Sequence, residues 1–149
     1  MRKAARAIII KDNKILVMHR NKYGSEYFTL VGGRVSRDET LEQALAREVK
    51  EETGLDITSS QLVFVEKHRA PYNEQYIYLC QVAPHESIAI QDSSEEGFMN
   101  RINMNLHKPV WAQLNSFSKL SFRTPQLQNA ITQAIKKGFP SQPIHIDPK

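Results

Sequence analysis

The chain has 149 residues but a single cysteine, Cys80, so no internal disulfide can form and a reducing, cytoplasmic setting is expected. It has no apolar run near the roughly 20 residues needed to cross a bilayer, and no membrane partner is expected. The opening MRKAARAIII places basic residues before an apolar run. Only Ile8 to Ile10 is strongly apolar, however, and Lys11-Asp12 follows, which argues against a signal peptide. Long basic runs are missing, as is any interleaving of arginine with aromatics at repeat spacing. Nucleic acid is therefore not the expected partner despite a net charge of +4. A small polyanion balances the same charge equally well. Repeats and linkers are also absent. With 40% hydrophobic and 24% charged residues, the composition is that of a globular domain with a sizeable core. One domain over residues 1–139 is expected, followed by an extended tail over 140–149.

The most informative stretch runs from Gly33 to Leu55, GRVSRDETLEQALAREVKEETGL. Thr40 with Gln43 makes a capping box, Leu41 to Thr53 holds no glycine or proline, and Gly54 sits where a left-handed residue would stop a helix. A helix of about three to four turns is expected behind a glycine-led loop. On its wheel Leu41, Ala44, Leu45 and Val49 form the apolar side, with Lys50, Ala46 and Thr53 opposite. Glu48 and Glu52 fall inside the apolar stripe, flanked by Glu51.

That placement is costly. Like charges three and four residues apart repel, and Glu51 and Glu52 occupy the last turn, where the helix dipole disfavours anions. A hard divalent cation such as Mg²⁺, Mn²⁺ or Ca²⁺ would offset both effects. The competing explanation is a glutamate-rich surface helix balanced by Arg47 and Lys50.

Gly33, five residues, Glu39, seven residues, then Arg47-Glu48-Val49-Lys50-Glu51-Glu52-Thr53-Gly54-Leu55 resembles the signature of Nudix hydrolases, with every fixed position present. The resemblance implies an α/β/α sandwich with a mixed sheet. It also implies hydrolysis of nucleoside diphosphates linked to another moiety, with Mg²⁺ or Mn²⁺ as cofactor. On the same footing Glu48 and Glu52 are metal ligands, Glu51 a ligand or water-orienting neighbour, and the Gly33 carbonyl a further ligand. Arg47 would fix the loop and the glutamates, and Glu39 would steady the loop. Many members supply another glutamate from a later loop as ligand or general base; Glu95 and Glu96, beside Gly97, are placed for it, Glu86 less well.

Strands are expected over Ala5 to Ile10 and Ile15 to His19, around a polar turn without glycine. Arg20 to Gly24 reads as a basic loop, with Arg20 a candidate phosphate contact and Arg34 a second one inside the signature. Tyr27 to Val31 is a short strand leading to Gly32-Gly33, where the family commonly has proline at the Val31 position. Strands follow over Gln61 to Lys67, Gln75 to Val82 and Val110 to Leu114, the last carrying Trp111 as a core residue. Pro84 to Lys108 carries the weakest pattern. Thr124-Pro125 opens a helix with Leu127, Ile131, Ala134 and Ile135 as its stripe, ended by Gly138 and Pro140.

The expected activity is thus metal-dependent hydrolysis of a small nucleotide, whether a nucleoside triphosphate, a dinucleoside polyphosphate or ADP-ribose. In some subfamilies a proline after the signature accompanies ADP-ribose and a tyrosine dinucleoside polyphosphates; Pro71 and Tyr72 stand side by side, so the hint cancels. A non-catalytic nucleotide-sensing domain is the alternative, and assembly as a homodimer is left open.

Overall fold

The structure, a computed structural model, describes residues 2–67, 74–85 and 105–147. Strands β1 (Lys3–Lys11) and β2 (Lys14–Lys22) form a hairpin through Asp12 and Asn13, both at positive φ. Asp and Asn tolerate that region, which is how the turn closes without glycine. The two strands pair only at Ile10↔Ile15 and Lys11↔Lys14 and then diverge.

The rest of that edge of β1 takes β4 (Val31–Arg34) antiparallel, while its other edge takes β6 (Glu74–Val82) in parallel. Strand β5 (Ile57–Lys67) joins β6 antiparallel, and β8 (Ile144–Ile146) adds a parallel edge to β5. Strand β2 meanwhile pairs with β3 (Ser25–Thr29) and β7 (Asn105–Gln113). The result is a mixed sheet bent at the β1–β2 corner.

Helix α1 (Leu41–Thr53) covers one face and α2 (Pro125–Lys137) the other, which makes the α/β/α arrangement. Alternation along β1 serves both layers: Ala5, Ala7 and Ile9 pack with Leu45 and Val49 of α1, whereas Ile8 packs with Leu127 and Ile131 of α2. Both faces are buried, so the strands read as apolar runs rather than as strict alternation.

The local signals act as the sequence suggests. Thr40 accepts from Gln43 N–H at 3.1 Å, the Gln43 side chain accepts from Thr40 N–H at 2.9 Å, and Gly54 takes the left-handed conformation with its N–H on Lys50 O. Thr124 caps α2 in the same manner by accepting from Leu127 N–H.

Several elements differ from the sequence expectation. Arg20 to Lys22 is not a loop but the end of β2, because β3 and β7 pair with it on both edges and satisfy its backbone. Strand β5 starts at Ile57, within a polar segment, and β7 starts at Asn105. Thr53 is buried rather than on the polar side, since its hydroxyl donates to Val49 O at 2.6 Å and accepts from Leu55 N–H. The 140–149 segment carries β8, and between β7 and α2 a 3₁₀ turn spans Leu114–Lys119.

Candidate active site

Two glycines at the start of β4 bring the strand against the C-terminal half of α1. Gly32 has φ +134°, and a Cβ there would meet Ala5 O at 2.2 Å. Its N–H donates to Glu52 Oε1 at 2.6 Å, and Glu52 is fully buried. A Cβ on Gly33 would stand 2.6 Å from the Glu48 carboxylate carbon. The glycine pair therefore makes room for two carboxylates, one held by a backbone N–H and one lying over bare backbone.

Arg47 gathers the remaining acids. Its Nε and Nη2 donate to the two oxygens of Glu39 at 2.6 and 2.9 Å, a bidentate pair. Its Nη1 donates to Glu48 Oε1 at 3.0 Å and to Glu51 Oε1 at 3.3 Å, and its Nη2 also reaches Arg34 O at 3.1 Å. Glu39 accepts from Ser36 N–H besides. The Arg47 guanidinium, with that backbone N–H, holds the Glu39 carboxyl at about 2, well below its ordinary value. The glutamates in turn raise the pKa of Arg47. Lys50 Nζ donates to Gly54 O and Asp56, placing a cation at the helix C-terminus, where it offsets the dipole.

Glu48, Glu51, Glu52 and the Gly33 carbonyl could offer a metal only hard oxygen, the chemistry that suits ions such as Mg²⁺ or Mn²⁺. The space that a Gly33 side chain would fill is taken by the Glu48 carboxylate, which brings its oxygens against the Gly33 backbone. As they stand, no three acidic or imidazole groups among the described residues form a ready cage, and Arg47 supplies the counter-charge to Glu48 and Glu51.

Beyond the glycine turn lies a cavity of about 400 Å³ lined by Arg6, Arg20, Arg123, Tyr27, Gln75 and Thr124, among others, with no acidic side chain among the described residues of its wall. Arg6 belongs to both regions, because it lines the cavity and donates to the Leu30 and Gly32 carbonyls. The Arg123 guanidinium lies 3.9 Å over the Tyr27 ring. Arg20 donates to Thr29 Oγ1 and to the His107 imidazole. Burial, together with the charges of Arg20, Arg6 and Lys22, pushes the His107 pKa down to about 4, so it faces Arg20 as a neutral ring.

A family profile described as NUDIX domain matches residues 1–126. The chain belongs to the Nudix family. An ADP-ribose pyrophosphatase of Methanocaldococcus jannaschii is 37% identical over 106 residues, 68% of this chain and 63% of that protein. An NAD-capped RNA hydrolase NudC of Vibrio atlanticus is 46% identical over 48 residues, 32% of this chain and 18% of its own length. The chain spans less than two thirds of either relative. Among solved structures, the E. coli ORF135 protein superposes with a TM-score of 0.67 at 22% identity, covering 92% of each chain. A NUDIX hydrolase from Nitrosomonas europaea reaches 0.69 at 18% identity over 93% of this chain and 90% of its own. At such identities the likeness shows the fold.

Within the Nudix box, Gly33, Arg47, Glu48, Glu51 and Glu52 come together, with Glu39 as the outer partner of Arg47. Arg20 lines the cavity. Arg34 does not; its side chain is exposed and its carbonyl is taken by Arg47. Glu95 and Glu96 lie outside the described residues, as do Glu86, Pro71 and Tyr72. Sequence reasoning missed Arg6, Arg123, Gln75 and His107. An arginine amid AARAIII, on a strand otherwise apolar, was the signal available for Arg6.

Proposed function

We propose that this chain is a divalent-cation-dependent pyrophosphohydrolase that cleaves the diphosphate linkage of a nucleoside diphosphate derivative. The observation that carries it is the link through Gly32 between the glutamates and an arginine-lined cavity: its N–H is on Glu52 and its carbonyl on Arg6, which lines that cavity. Glu48, Glu51, Glu52 and the Gly33 carbonyl would hold Mg²⁺ or Mn²⁺, which supplies charge neutralisation on the phosphate oxygens and lowers the pKa of the attacking water.

The other steps rest on side chains of this chain. Arg20 and Arg123 would bind the substrate's anionic and acceptor groups in the cavity, keeping the diphosphate in register with the carboxylates. Arg47 holds the acids in place rather than touching substrate. Glu51, the most exposed of the three, is the one free to orient water as well as to ligate. Glu95 and Glu96 are the candidates for an added ligand or general base. The substrate class follows the names of the relatives, ADP-ribose pyrophosphatase and NAD-capped RNA hydrolase among them.

The test is a panel of nucleoside triphosphates, dinucleoside polyphosphates, ADP-ribose, NAD and NAD-capped RNA, with Mg²⁺, with Mn²⁺ and with neither, products being resolved by chromatography. Metal-dependent cleavage of a phosphoric anhydride bond is expected, and Glu52→Gln should abolish it. Binding without turnover across the panel would overturn the catalytic proposal in favour of a nucleotide sensor.

A further inference from the structure

A chain of hydrogen bonds crosses the sheet at right angles to its strands and ends on the glycine turn. It starts at the N-cap of α2, where the Thr124 hydroxyl donates to Glu66 Oε2 on β5. Gln75 on β6 donates its Nε2 to Glu66 Oε1 at 3.2 Å and accepts at Oε1 from Arg6 Nε on β1 at 2.7 Å. Arg6 Nη1 donates to Leu30 O at 3.3 Å and Gly32 O at 3.1 Å. The register supports the sequence of contacts, since Glu66 lies opposite Gln75 and Arg6 opposite Gly32.

The location of the last link matters. Gly32 has its carbonyl on Arg6 and its N–H on Glu52, so the two bonds hold one residue from opposite sides. Gly32 is also held at φ +134°, a conformation only glycine adopts readily. Its carbonyl belongs to the peptide that joins Gly33, whose bare Cα faces Glu48. Two carbonyls on either side of Val31, where β3 gives way to β4, need a donor that reaches both, and a guanidinium does. Glu66, 2% exposed, is a buried carboxyl group that accepts from Thr124 and Gln75, and Gln75 connects it to the Arg6 guanidinium.

We propose that Arg6 is a positioning residue for the Nudix box. It orients the Gly32–Gly33 backbone, and through it Glu52 and Glu48, while Glu66 and Gln75 fix the guanidinium. The kinetic part of this inference rests on the function proposed above; the backbone part does not.

The experiment uses Arg6→Lys, which keeps a cation but cannot reach Gln75 and both carbonyls together, and Gln75→Met, which cuts the relay while leaving Arg6 in place. Three measurements are made: amide exchange at Gly32 by NMR, binding of Mn²⁺ alone by electron paramagnetic resonance, and steady-state kinetics on the substrate found in the panel. In Arg6→Lys, Gly32 exchange should quicken and Mn²⁺ affinity and kcat should each fall about 10- to 100-fold, with KM nearly unchanged. Gln75→Met should shift all three in the same direction by less. Unchanged Gly32 exchange in both variants overturns the proposal. So does a raised KM with kcat intact, which would make Arg6 a substrate contact instead. If Arg6→Lys does not fold, Gln75→Met decides alone. A wild type that turns over nothing defeats the functional proposal only, because exchange at Gly32 still judges this one.

Discussion

A side chain on Gly33 would occupy the place where the Glu48 carboxylate lies, 2.6 Å from its carboxyl carbon. The conflict is with the far end of a flexible side chain, whereas the conflict at Gly32 is with the Ala5 carbonyl of β1. The two glycines should therefore fail differently. Gly33→Ala should fold with a melting temperature close to wild type and lose most of its activity as Glu48 is pushed aside. Gly32→Ala should lose roughly 2–4 kcal/mol of stability from strain and backbone collision. Parallel thermal melts and activity assays on the two variants distinguish them.

Glu52 supports the fold as well as the site. Glu52→Gln keeps an oxygen to accept from Gly32 N–H and removes a fully buried charge, so stability should stay within about 1 kcal/mol of wild type. Glu52→Ala strands that N–H and leaves a void, and should cost roughly 2–4 kcal/mol. Both should lose activity by orders of magnitude. Added Mg²⁺ should raise the melting temperature of wild type more than that of either variant, by linkage.

Arg47→Lys retains the charge but not the fork. The bidentate grip on Glu39 and the bonds to Glu48, Glu51 and Arg34 O cannot all survive on one ammonium. These side chains are about a third exposed or less, and such partly screened ion pairs contribute modestly to stability, so a loss of about 1 kcal/mol is expected by denaturant titration. The effect on kcat should be far larger, about 10- to 100-fold, because misplaced carboxylates are what the substitution produces.

His107 sets a pH dependence. The unfolded chain takes up a proton near the ordinary value of 6.5, the folded one only near 4, so the unfolded state binds more protons in between. Stability contributed by the neutral ring is therefore complete above pH 6.5, declines as pH falls through this window, and levels off below 4. The full drop should be on the order of 3 kcal/mol. His107→Gln, which keeps an acceptor for Arg20, should flatten that part of the melting profile.

The parts of this molecule that were legible in the sequence are those whose causes are local. Thr40 with Gln43, Gly54, and Thr124-Pro125 bound their helices through contacts within four residues, so their spacing carried the information. The glutamates could be placed on one helical face by period alone. Thr53 could not, because a hydroxyl that bonds Val49 O and Leu55 N–H is buried without being apolar. Arg20-Asn21-Lys22 read as a loop because nothing nearby shows that β3 and β7 flank it. Glu66, Gln75 and Arg6 were invisible as a set for the same reason: each is an ordinary polar residue until the sheet sets β1 beside β6, roughly 70 positions away.

Strand β1 pairs with β6 from Lys3↔Glu74 to Ile9↔Cys80, a separation of roughly 70 positions, the kind of long-range closure that slows folding. During synthesis the nascent chain thus presents β1 with one backbone edge unsatisfied until β6 has left the ribosome. In that interval β4 can pair with the other edge and α1 can pack on the face, so the glutamate face can be assembled before the sheet beneath it is closed. An emerging chain that stalls between α1 and β6 would carry an exposed, apolar, ready-to-pair edge. Chaperone capture should therefore concentrate on β1 in stalled nascent chains and vanish once residue 82, the end of β6, is free of the exit tunnel.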